Sequence, residues 1–214
     1  MKEAVIENIK NEAKTYFSDA NGCHAWDHTE RVLALCMHIG KKEHANLEVL
    51  ELSAILHDIC KPEEIKLKGT ICHATKGAEI AGQILKKYGF PQEKINAVVH
   101  CIESHRTRTD KKPSTLEAKI LYDSDKIDGI GAIGIGRDFM CASEIGAKLH
   151  NKNIDIEKTK PYTEEDTAYR EYLVKHRFVK DKVFTTEGKR IANERHKFME
   201  EFFERMNKEV DGEL

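Results

Sequence analysis

The stretch Ala54–Lys61, AILHDICK, decides the reading. Its apolar residues continue a helical stripe through Val49, Leu52, Leu56 and Ile59, the three-to-four-residue recurrence of one helix face. The stripe then runs into a histidine, an aspartate and a lysine. Adjacent helical residues point about 100° apart, so His57 and Asp58 can converge on one point if the helix is ending there. A buried carboxylate needs a partner, because an unpaired charge in a core is costly. A divalent metal is one such partner and a salt bridge to lysine or arginine is another. From this pair alone the salt bridge is the simpler reading.

The same periodicity extends in both directions. Val5, Ile6, Ile9 and Ala13 mark a first helix, and Val32, Leu35, Cys36 and Ile39 a second that begins near His28. The helix through Leu56 is expected to end around Cys60-Lys61-Pro62. Ala78, Ala81, Ile84, Leu85 and Tyr88 mark a fourth helix, stopped by Gly89 and Pro91. Ile95, Val98, Val99 and Ile102 mark a fifth; Leu116, Ile120, Leu121 and Ser124 a sixth. Ile191, Phe198, Phe202 and Met206 mark a long last one. No segment alternates as a strand would. Residues 147–166 are polar and are expected to form a loop or flap. The expectation is an all-α chain, one domain over 1–214, with a C-terminal helical extension over about 165–210.

Gly129–Gly134 literally matches GxGxxG. That motif binds a dinucleotide only between a strand and a helix. Here it follows a helix carrying three aspartates, so tight helix packing or a kink is expected.

The 214 residues include 40% hydrophobic and 34% charged side chains, with a net charge of −2. This balance gives no reason to expect a nucleic-acid polymer or an anionic membrane as partner. No run of 18 apolar residues is present, and the first residues lack a signal peptide's apolar core, so a cytoplasmic location is expected. Six cysteines without a CxxC read as small buried hydrophobes rather than disulfides. Cys72-His73 and His100-Cys101 lack the paired spacing of a structural zinc site.

Other histidines and aspartates change the weight of the His57-Asp58 pair. His24-Ala25-Trp26-Asp27-His28 precedes a helix start, with Arg31 one turn later. Asp123, Asp125 and Asp128 close an apolar helix. Imidazole and carboxylate together suit zinc, iron, manganese and similar ions.

In this order the pieces resemble the H…HD…D signature of the HD-domain metal-dependent phosphohydrolase superfamily. HAWDHTERV is similar to the family's first helix start and AILHDICK to its HD helix. KILYDSDKIDGIGAIGIGRDF and GKRIANERHKFMEEF resemble segments of one bacterial hydrolase branch. The resemblance covers residues 20 to about 140 and implies an all-helical HD bundle. It implies His28, His57, Asp58 and Asp125 as metal ligands, with Asp123 and Asp128 left to helix-end solvation or capping. In two-metal branches an extra histidine precedes a Gly-Ala helix start and another ends the next helix. His73 and His105 match those places, with Asp58 as the bridge between ions about 3.5–4 Å apart. Their alternative is phosphate binding or helix capping. His100 should face elsewhere, and His38, His44, His150, His176 and His196 are expected to be surface or structural.

The implied reaction is hydrolysis of a phosphate ester or anhydride, expected in a nucleotide, by metal-activated water. One or two divalent ions are expected (Fe, Mn, Zn, Co or Ni, with Mg as a further option). Asp58, Asp125 and Lys61 are the expected catalytic residues. Arg31, Lys61 and His24 are expected at the substrate, although Arg31 and Lys61 can also be read as solvated charges. Cys60 is no nucleophile on this reading, because the Asp58 charge would raise its thiol pKa. The rivals are a diiron oxygenase of the same superfamily and a non-catalytic nucleotide sensor. The chain is expected to act as a monomer or homodimer.

Overall fold

The computed structural model of the chain describes residues 2–18, 22, 25–107 and 111–214. They are helical, and no strand occurs among them. Two compact units are present, residues 1–125 and 126–214.

The first unit is organised around its most apolar helix. Helix α1 spans Lys2–Thr15, α2 Trp26–Lys42 and α3 Leu47–Leu56. Asn46 caps α3 by accepting from the Val49 N–H at 3.3 Å, which satisfies one of the orphan donors of a helix start. From Val49 to Leu56 only Glu51 escapes full burial. A helix that is apolar all round belongs in a core, and α3 is accordingly packed by α1, α2, α5 and α6. Helix α5 spans His73–Lys87, α6 Gln92–Ser104 and α7 Leu116–Asp128. Their buried faces contribute Ala78, Ala81 and Leu85, then Val98, Cys101 and Ile102, then Ile120 and Leu121.

Helix α3 stops at Leu56, several residues before the expected end. Turns follow over residues 57–60, and a short helix α4 opens at Lys61–Lys66. Pro62 sits in the first turn of α4. Its missing N–H costs nothing there, so this proline starts a helix where the sequence suggested a stop.

The second unit holds α8 (Gly131–Glu144), α9 (Ala168–Val174) and α10 (Thr186–Val210), with 3₁₀ turns at Ile156–Lys158 and His176–Asp181. Thr167 and Thr185 cap α9 and α10 through the Arg170 and Gly188 N–H groups. Residues 147–166 are irregular apart from the short 3₁₀ turn. Buried Arg170 anchors them, donating to Asp166 at 2.6 Å and to Thr159 Oγ1 at 2.7 Å. Cys36, Cys60, Cys72 and Cys101 are free thiols as expected. Cys141 is disulfide-bonded, contrary to the reading of all six as reduced.

Candidate metal centre

The first unit gathers six side chains from five places in the chain. His28 lies in the first turn of α2. His57 and Asp58 occupy the turn after α3. His73 opens α5, His105 follows the last residue of α6, and Asp125 lies near the end of α7. Because α3 has ended, the adjacent His57 and Asp58 converge: His57 Nε2 is 3.8 Å from Asp58 Oδ2.

The donors fall into two groups, His28/His57/Asp125 and Asp58/His73/His105, each with donor atoms within 4.8 Å of one another. Asp58 faces both groups. Its Oδ1 is 3.3 Å from His73 Nε2 and 3.5 Å from His105 Nε2. Its Oδ2 is 3.7 Å from His28 Nε2. His28 Nε2 is also 3.3 Å from Asp125 Oδ1. The facing Nε2 atoms are 3.4 Å apart in the His28–His57 pair and 3.2 Å apart in the His73–His105 pair.

Proton placement tests whether these groups suit a cation. His57 Nδ1 lies 2.8 Å from the Ala54 carbonyl, and His105 Nδ1 lies 2.5 Å from the Ile102 carbonyl. A carbonyl oxygen can only accept, so both Nδ1 atoms carry the proton. His73 Nδ1 lies 2.8 Å from Glu64 Oε2 and donates to that carboxylate. With the proton on Nδ1, the neutral form of each ring turns a bare Nε2 lone pair inward. Around His73, His105 and Asp58 Oδ1, three acceptors meet. A divalent ion is the kind of group that such an acceptor set accommodates.

Charge states agree with this arrangement. Burial holds His57 below the ordinary histidine range and pushes His73 down to about 4. Burial opposes ionisation of Asp58, but positive charge beside it, on His57 first when that ring is protonated, outweighs burial and holds the carboxyl well below its usual range. Glu64 behaves likewise: hydrogen bonds from Lys61 and His73 overcome burial and bring it down to about 2.

A profile of the HD domain family matches residues 25–130. YpgQ of Bacillus subtilis is 32% identical over 210 residues, covering 96% of this chain and 94% of that protein. The chain belongs to the HD domain superfamily. Its fold is correspondingly close to solved structures of similar chains. YpgQ in complex with ADP superposes with a TM-score of 0.73 at 26% identity, covering 96% of this chain and 95% of the other. A predicted HD superfamily hydrolase from an uncultured Thermotogales bacterium superposes with a TM-score of 0.67 at 28% identity, covering 95% and 92%. This HD chain is hydrolase-like, with His/Asp clusters that could hold metal ions.

Other expected residues of the HD chain stand as follows. Lys61 Nζ contacts Glu64 Oε2 at 2.7 Å, and Arg31 contacts Asp27 at 2.6 Å. His24 lies outside the described residues. His100 faces away, bonding Ser114. Asp123 and Asp128 are buried rather than solvated, and Asp128 accepts from Arg137 at 2.8 Å. His38 and His44 are exposed, while His176 bonds Asp138 and His196 is buried. The Cys60 thiol is pushed up to about 12, by burial first and then by Glu63; Asp58 is not its leading cause.

The sequence reading missed Glu64 and Arg106. Arg106 Nη1 donates to Glu64 Oε1 at 2.8 Å. The available signal was an acidic pair, Glu63-Glu64, between the HD turn and His73. Nothing in the spacing says which of the two turns inward. Glu64 is 4% exposed.

Proposed function

We propose that the chain is a metal-dependent phosphohydrolase acting on a small phosphorylated substrate of the nucleotide class. One observation carries this reading: the two carboxylate oxygens of Asp58 divide between two histidine groups. His28, His57 and Asp125 would hold one ion, His73 and His105 a second, with Asp58 shared. Such ions lower the pKa of water and stabilise the negative charge that develops on phosphoryl oxygens.

The chain's own residues supply the rest. Buried Nδ1 hydrogen bonds fix the rings of His57, His73 and His105. Asp125 Oδ1, 3.3 Å from His28 Nε2, is the carboxylate assigned to accept a proton. Lys61 has three ammonium donors and Glu64 engages one, which leaves others for a phosphate oxygen. Arg31 is the second candidate cation, able to bind a phosphate with a two-pronged contact. The nucleotide class is supported by the similar YpgQ, whose solved complex contains ADP.

The test combines metal analysis with a nucleotide panel supplied with Mn²⁺, Co²⁺ or Fe²⁺ in ¹⁸O-water. Solvent oxygen should enter one phosphate-containing product. Asp58→Ala should lose metal and turnover while its circular dichroism stays helical. Wild-type metal content in that variant would sink the assignment. Absence of turnover together with O₂ consumption would favour the oxygenase reading.

A further inference from the structure

We infer that Glu64 is a positioning residue for the second ion, fixing His73 in the tautomer that aims Nε2 at the site. The inference rests on the two-group reading of the centre.

Four histidines present Nε2 inward, and three of them, His57, His73 and His105, are fixed in two different ways. His57 and His105 each follow the end of a helix. Each donates Nδ1–H to the carbonyl three residues back in that helix, Ala54 or Ile102. His73 is the first residue of α5, and no helical turn precedes it to offer such a carbonyl. Its Nδ1–H must find an acceptor from another element. Glu64, on α4, supplies Oε2 at 2.8 Å.

The carboxylate is itself well held. Its Oε2 also accepts from Lys61 Nζ at 2.7 Å, and its Oε1 accepts from Arg106 Nη1 at 2.8 Å. The backbone N–H of His73 lies 3.5 Å from Oε1. Two cations offset the cost of burying the anion, and both oxygens are pinned. A carboxylate on the distal nitrogen of a ligating imidazole fixes its orientation and raises its basicity. Glu64 is the only residue of α4 that is fully buried. The alternative is that Glu64 serves only as a counter-ion for Lys61 and Arg106.

Three variants separate these roles. Glu64→Asp keeps the charge but is one methylene too short to reach His73 Nδ1. Glu64→Gln keeps the reach and an acceptor oxygen but loses the charge. Glu64→Ala loses both. Each metal-free protein is titrated calorimetrically with Mn²⁺. Positioning requires a second-ion affinity that falls in the order wild type, Gln, Asp and Ala, with Asp and Ala weakened roughly 10–100-fold and the first ion unchanged. His73 should be an Nδ1–H tautomer by long-range ¹H–¹⁵N spectra in the metal-free wild type and a tautomer mixture in Glu64→Asp. Glu64→Asp with wild-type affinity for both ions overturns the inference, and so does an affinity order that places Asp above Gln. Should Glu64→Ala fail to fold, the Asp and Gln variants still decide. A wild-type chain that takes up fewer than two ions overturns the two-group reading itself, a distinct result.

Discussion

His196 shows how a buried imidazole behaves when its Nδ1 has no hydrogen-bond partner. It is 7% exposed on α10, and its Nδ1 is buried with no hydrogen-bond partner. Burial first, and then the Lys180 charge, hold it below the ordinary value of 6.5. The folded ring therefore stays neutral where the unfolded chain already binds a proton. Its stability contribution is complete above pH 6.5 and is lost as pH falls toward the lowered folded value. His196→Leu should flatten the decline of the thermal midpoint between pH 7 and 5, measured by circular dichroism. An unchanged slope would place the acid sensitivity in other groups. The contrast with His57, His73 and His105 lies in their partners, and partners are what a single sequence hides. The order His28, His57-Asp58, Asp125 was legible because each lies near a helix end, where a stripe of apolar residues breaks. Glu64 was not legible, because its contacts with His73 and Arg106 cross from α4 to other elements. Asp123 and Asp128 were misjudged for the same reason: a charge at a helix end reads as solvated until its burial is known.

Periodicity found the long helices, and it failed where glycine or proline broke the pattern. Helix α4 was hidden because Pro62 reads as a stop. Helix α8 was hidden because Gly131, Gly134 and Gly136 depress helix propensity. The expected tight packing over Gly129–Gly134 is present in detail. Gly131 adopts φ +76° at the start of α8, a conformation that side chains with a Cβ rarely adopt. At Gly134 an added Cβ would lie 2.3 Å from the Gly129 carbonyl oxygen, whereas at Gly136 nothing lies within 4 Å. Two glycines in one helix should therefore answer alanine with opposite signs. Gly136→Ala should stabilise by about 0.5–1 kcal/mol, through helix propensity alone. At Gly134 the same gain is outweighed by a backbone clash that cannot be relieved by a rotamer change, for a net loss of about 1–3 kcal/mol. Urea unfolding of both variants measures the difference. Equal effects would show that the close approach to Gly129 relaxes freely.

At the scale of the whole molecule, all six donor residues belong to the unit formed by residues 1–125, and none of them is adjacent in sequence except His57 and Asp58. Five helix termini must be in place before the groups exist, so an ion would bind the folded unit far better than the unfolded chain. Metal affinity then becomes folding stability. The only tryptophan of the chain, Trp26, opens α2 two residues before His28 and packs edge-on against Phe17 with ring centroids 5.3 Å apart. Its fluorescence therefore reports unfolding of this unit. At a free Mn²⁺ concentration one hundred times the dissociation constant, one site adds about 2.7 kcal/mol. For a chain of this size, that corresponds to a rise of roughly 5–11 °C in the midpoint. Chelation should lower the Trp26 melting midpoint by at least that amount, and added Mn²⁺ should restore it. Asp58→Ala faces both groups at once, so its midpoint should be insensitive to chelator and to Mn²⁺. A wild-type midpoint that ignores chelator, in protein shown to carry metal, would mean that the ions sit outside the fold's cooperative unit and that these six residues do not hold them.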